Sequence, residues 1–159
     1  MPELGAAFRE LGLEDVRTVL ATGNVVFTSG RSSVGELRAR LEQALSETFD
    51  YEAFVHLVEV AKLERLVADY PFERKEADLQ PYVMFTSDAR ARRELLALAP
   101  SLDPSVERIA PGSGVIYWEV RRGHSTESPF AKASSKASFR PVVTTRNLRT
   151  LEKVIAVAR

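Results

Sequence analysis

Two stretches of this 159-residue chain hold side chains of the types and spacing that do chemistry. Ser128 and Lys132 are four apart, so on a helix they share a face, and a serine beside a lysine is a nucleophile with a base. The plainer reading of the same pair is a capping serine and a solvated lysine. Thr144-Thr145-Arg146-Asn147 runs into the helically spaced apolar positions Leu148, Leu151, Ile155 and Ala158. A threonine cap there puts Arg146 and Asn147 in a first helical turn, where free backbone N–H groups and the positive end of the dipole attract an anion. Arginine at that place opposes the dipole, which hints at a ligand; an ordinary cap with a surface arginine is the alternative. Arg146, Asn147 and Thr145, with Lys132, Lys136, Arg140 and Ser128, are the candidate anion-binding residues.

Other chemistry finds little material. The chain has no cysteine, hence no disulfide, thiolate metal site or cysteine nucleophile. Its two histidines, His56 and His124, are far apart and in no metal-binding spacing, so no metal and no cofactor is expected. Gly112-Ser113-Gly114 lacks the lysine and the following helix of a phosphate loop and reads as a hairpin turn. The N-terminus carries no cationic flank with an apolar stretch behind it. The apolar runs are about five residues, against the roughly twenty a spanning helix needs, so a cytoplasmic protein without membrane contact is expected.

The elements that would position these residues follow from periodicity. Leu4, Ala7, Phe8 and Leu11 give a short helix closed by Gly12. Alternation from Asp15 (Val16, Thr18 and Leu20 on one face) and the run Val25 to Thr28 give two strands around the turn Thr22-Gly23-Asn24. Ser33 with Glu36 forms a capping box ahead of Leu37, Leu41, Ala44, Leu45 and Phe49, and Phe54 to Val58 reads as a strand. Helix, strand, strand, helix, strand is a ferredoxin-like split βαβ unit whose first strand is missing.

A helix over 61–70 ends at Pro71, and Glu73 to Gln80 is a charged connector. Tyr82 to Thr86 is a strand, Asp88 caps a helix stopped by Pro100, and Val106–Ala110 with Val115–Val120 form a hairpin. A helix near 128–137, a strand at Val142-Val143 and a final helix from about Thr145 complete a second unit. The expectation is an α+β fold of two such units with mainly antiparallel sheets: 1–72, a connector 73–80, and 81–159.

These residues also resemble a known family. Gly12-Leu13-Glu14-Asp15-Val16-Arg17-Thr18 leading to Thr22-Gly23-Asn24-Val25-Val26-Phe27, then Val115-Ile116-Tyr117-Trp118 and Thr144-Thr145-Arg146-Asn147, are similar to domain of unknown function 1697. Its members are small bacterial proteins without an assigned activity, and the resemblance extends over nearly the whole chain. It implies an opening strand and an Arg-Gly-Ile-Asn-Val-Gly loop ahead of the first helix, and a Ser-Lys pair where this chain has Ser128-Pro129. It also implies a tryptophan where this chain has Leu148.

Charge narrows the function classes. Twenty-two basic and twenty-two acidic side chains exclude a globally basic chain. Division at Arg121 shows a cancellation: thirteen basic against twenty acidic up to residue 120, nine against two from 121 on. Three readings stay open. The first is a binding module for a phosphate-bearing small molecule or nucleic acid at the basic C-terminal segment. The second is a structural or interaction module acting through a sheet edge or as a homodimer; the third is a hydrolase-type enzyme.

Overall fold

A computed structural model describes residues 2–20, 23–30, 33–74 and 76–159. The chain is α+β, with two antiparallel sheets, and forms two compact units: residues 1–63 with 150–159, and residues 64–149. The units are thus not collinear with the expected division at 73–80. Among the described residues no helix is long and apolar enough to cross a membrane.

The first unit contains α1 (Pro2–Glu10), β1 (Glu14–Val19), β2 (Asn24–Thr28) and α2 (Val34–Phe49). Ser33 caps α2 by accepting the Glu36 N–H at 3.2 Å. Phe8, Val16, Leu37, Leu41 and Leu45 are buried in its core. Strict alternation along β1 does not hold. Asp15 is left-handed (φ 51°) and the β1–β2 register shifts between Glu14 and Arg17, which resets the parity. Val16 and Val19 are therefore the buried residues, while Leu20 is exposed. Of the expected turn, Gly23 has φ 83° and Thr22 lies outside the described residues.

The strand expected at Phe54–Val58 is not one. Its β-rich composition holds it extended, but the amides of Ala53 and Val55 donate to Ser46 Oγ at 3.0 Å and Glu42 Oε2 at 3.1 Å. Side chains of α2 take the donors that a neighbouring strand would have taken, and no ladder forms.

After α3 (Val60–Ala68), whose first residues are grouped with the first unit, the second unit continues with β3 (Leu79–Thr86), α4 (Ala89–Leu96), β4 (Glu107–Pro111), β5 (Val115–Arg121), α5 (Pro129–Ser134) and β6 (Val143–Asn147). The last helix, α6 (Leu148–Ala158), begins here and continues among the residues grouped with the first unit. The sheet order is β4-β5-β3-β6, antiparallel throughout, which is compatible with a βαβ-type unit. The end of the charged connector is already strand, since β3 begins at Leu79.

One sheet face is covered by α4 and α5, whose Ala91, Leu95, Phe130 and Ala131 pack with Met84, Ile116, Trp118 and Val120. Asp88 caps α4 by accepting the Arg90 N–H at 2.9 Å. Pro81 sits in an inner strand without breaking the ladder. It lies one residue beyond the last β3–β6 pair, Tyr82↔Asn147, where β6 gives way to α6.

The hairpin turn depends on Gly112. A Cβ there would lie 2.6 Å from both Tyr117 Cε2 and Val115 Cγ2. Gly112→Ala is expected to cost about 2 kcal/mol through forced repacking, read as a lower urea midpoint. An unchanged midpoint would show that the two neighbours move aside freely.

Candidate functional site

The Thr144–Asn147 segment is strand, not the first turn of a helix. Val142, Val143, Thr144 and Thr145 are four consecutive β-branched residues, and that preference carries the backbone through Asn147 before the helix starts. Tyr82, Val83 and Met84 of β3 stand opposite Asn147, Arg146 and Thr145. Asn147 is the cap of α6, its Oδ1 accepting the Arg149 N–H at 2.9 Å. The expected threonine cap is thus replaced by an asparagine cap at the end of β6, and Arg146 falls outside the helix.

Alternation along β6 separates the candidates. Thr145 and Asn147 share the face of Met84 and Tyr82, the face that α4 and α5 cover. Arg146 lies on the opposite face with Val83. Its Nη1 donates to Thr144 Oγ1 and to the Thr145 carbonyl, each at 2.9 Å, and burial lowers its pKa. Lys132, Lys136 and Arg140 are exposed and belong to the α5 side. The structure therefore brings Thr145 and Asn147 to the lysine side of the sheet and leaves Arg146 on the other.

Ser128 is occupied. It caps α5, with Pro129 at the first helical position, and its Oγ accepts the Ala131 N–H at 3.1 Å. The same hydroxyl donates to Glu107 Oε1 at 2.7 Å and is buried. Lys132, on the exposed side of the short helix, is not among its partners. The helix expected to reach residue 137 stops at Ser134, where the Ser134 and Ser135 hydroxyls turn back onto carbonyls of the preceding turn. A separate 3₁₀ turn follows at Ala137–Phe139.

Glu107, which sequence reasoning passed over, organises this side of the unit. It is 2% exposed, and its carboxylate accepts from Ser128 Oγ at 2.7 Å, Trp118 Nε1 at 2.9 Å and the Phe130 amide at 3.2 Å. The signal was its alternation with Ile109, which places a carboxylate on the core face. On the opposite face Arg108 holds Glu119 through Nε at 3.0 Å and Nη2 at 2.8 Å, its guanidinium 4.5 Å over the Phe72 ring. Burial, then the Glu119 charge, drives the nearby Tyr70 phenol far above its ordinary range.

A second omission is Arg90, Arg92 and Arg93 on α4. Arg90 and Arg93 are exposed, and Arg92 donates to Thr86 Oγ1 at 3.0 Å. The signal was three arginines in four positions directly after a capping aspartate. His56 lies in the extended stretch after α2 and His124 in the exposed loop before α5. Among the described residues no group of three or more His, Asp or Glu side chains is placed to hold a metal.

Glu107→Ala strands the Ser128 and Trp118 donors in the core and is expected to cost about 3 kcal/mol. The chain's single tryptophan, Trp118, reports this unit, so the loss reads directly as a lower urea midpoint in its fluorescence. Ser128→Ala, which removes one bond and a cap, is expected to cost about 1–2 kcal/mol. Equal midpoints for the two variants would show that Glu107 is held mainly by other groups.

No curated protein matches the chain. A conserved bacterial protein of Streptococcus pneumoniae has a similar structure, with a TM-score of 0.77 at 24% sequence identity over 100% of this chain and 88% of that one. That likeness is one of fold. The family described as protein of unknown function matches residues 1–117, a span that holds the β1–β2 hairpin and reaches Tyr117 but stops short of Thr144–Asn147. With that share of its length matched, the chain belongs to the DUF1697 family.

Proposed function

We propose that this chain is a binding module for an anionic ligand, recognised through the basic side chains of its C-terminal segment. The observation that carries the reading is that Lys132 and Lys136 are exposed and make no ion pair or side-chain hydrogen bond among the described residues. Arg140 is exposed close by in the chain. Thr145 and Asn147 lie on the same side of the sheet as these cations, on the edge strand β6. Arg146 lies on the other face of the sheet and stands apart from these cations. Ser128 contributes by holding α5 in place rather than by touching a ligand.

Inorganic phosphate or a nucleoside monophosphate at about ten times its Kd is expected to stabilise the chain by about 1.4 kcal/mol, a rise in Tm of about 3–5 °C. Lys132→Ala with Lys136→Ala should abolish the rise. Arg146→Ala separates the two faces, abolishing it only if the ligand sits on the arginine side. No rise with a broad set of phosphates and nucleotides would remove this reading.

The interaction reading has one observation of its own. β2, Asn24-Val25-Val26-Phe27-Thr28, carries no charge, and among the described residues it pairs only with β1. An uncharged edge of β-rich residues is a template for a further strand. It predicts a dimer whose fraction falls on dilution, measured by light scattering; a monomer at every concentration would dismiss it.

A further inference from the structure

We infer that the ligand surface extends across α4 and that its partner is double-stranded nucleic acid, bound by its phosphates without regard to sequence; this deepens the anion-binding reading and rests on it. α4 and α5 lie side by side in one layer over the sheet, since Ala91 and Leu95 share a core with Phe130 and Ala131. Their outward positions bring Arg90 and Arg93 into the same layer as Lys132 and Lys136. Residues 87–98 and 128–140 together hold six basic and two acidic side chains, the acidic ones being Asp88 and Glu94. The cations of the C-terminal segment are therefore half of a larger set.

The spread of that set decides the size of the ligand. Arg90 and Arg93 are one helical turn apart, about 4.5 Å along the axis, and a neighbouring helix axis lies about 8–10 Å away. A single phosphate engages at most the nearest of these cations, whereas a row of phosphates engages all of them at once. Arginine also matches a phosphodiester geometrically, offering two parallel donors.

Composition then separates the polyanions. The large exposed apolar side chains, Leu20, Val34, Tyr51, Val58 and Val60, all lie outside α4, α5 and the turn after it. A protein partner would find no apolar centre on which to build an interface. Phe130 and Phe139 are buried, so bases would find no aromatic platform of the kind that single-strand binders use. What is left is backbone recognition of a duplex, whose affinity comes from counterion release.

The test uses the intact chain with fluorescein-labelled strands of about 20 nucleotides, single and annealed, read by anisotropy across a salt series. The duplex should bind with a Kd of about 10⁻⁴–10⁻⁶ M, more tightly than the single strand, and weaken steeply with salt. Arg90→Ala with Arg93→Ala should weaken duplex binding at least about tenfold at low salt and reduce the logarithmic salt slope by about 2. Arg17→Ala, on β1 of the other unit, should leave both unchanged. Tighter binding of the single strand, or an arginine double variant that binds as before, overturns the proposal. Stabilisation by phosphate without duplex binding overturns it while leaving the anion-binding reading intact; absence of both removes the two together.

Discussion

The second unit depends on a carboxylate that has been taken out of water. Burying Glu107 uncompensated would cost several kcal/mol, so its position is tolerable only where donors surround it. Trp118, across the β4–β5 ladder, supplies one; the Ser128 hydroxyl and the Phe130 amide, both at the start of α5, supply the others. Each bond also fixes where an element lies. The hairpin cannot slide without moving Trp118, and α5 cannot swing off the sheet without uncovering Glu107. The direction in which Lys132 leaves the surface is set from inside, by a residue 25 positions earlier in the chain.

The neighbouring position shows the same logic on the other face. Arg108 follows Glu107 and therefore points away from α5, where it meets Glu119, its opposite residue on β5. Consecutive residues on one edge strand thus secure both sides of the sheet. One uses a carboxylate satisfied by neutral donors, the other an ion pair capped by the Phe72 ring. Pro111 ends the same strand and offers no amide to a further neighbour, which protects the edge just where the turn begins.

Which parts of this could be read from the sequence follows from how local their causes are. Ser33 and Asp88 announce their helices because a cap needs only the next three residues. Gly112 announces its turn for the same reason. Phe54–Val58 looks like a strand because its side chains prefer one, but a strand also needs a neighbour, and α2 had already supplied partners for its amides. Thr144–Asn147 is ambiguous in a different way. Threonine and asparagine suit a helix cap, threonine also suits a strand, and only pairing with β3 decides between them. Of the candidate site, the excess of cations after residue 120 was legible, whereas the face each one occupies was not. Register sends Arg146 and Thr145 to opposite sides, and sheet topology sets α4, some forty residues earlier, beside α5.

The formal neutrality of the chain is a poor guide to what its surface presents. The unit spanning 64–149 holds fourteen basic and eleven acidic residues, but Glu107 and Glu119 face inward and take up hydrogen bonds there. Glu119 withdraws Arg108 with it, while Glu107 is satisfied by neutral donors and withdraws no cation. Burying Glu107 against a serine, an indole and an amide thus ties the hairpin to the start of α5. The residue that fixes the start of α5 thereby also sets where Lys132 stands above the sheet, so the place of that surface cation is decided in the core.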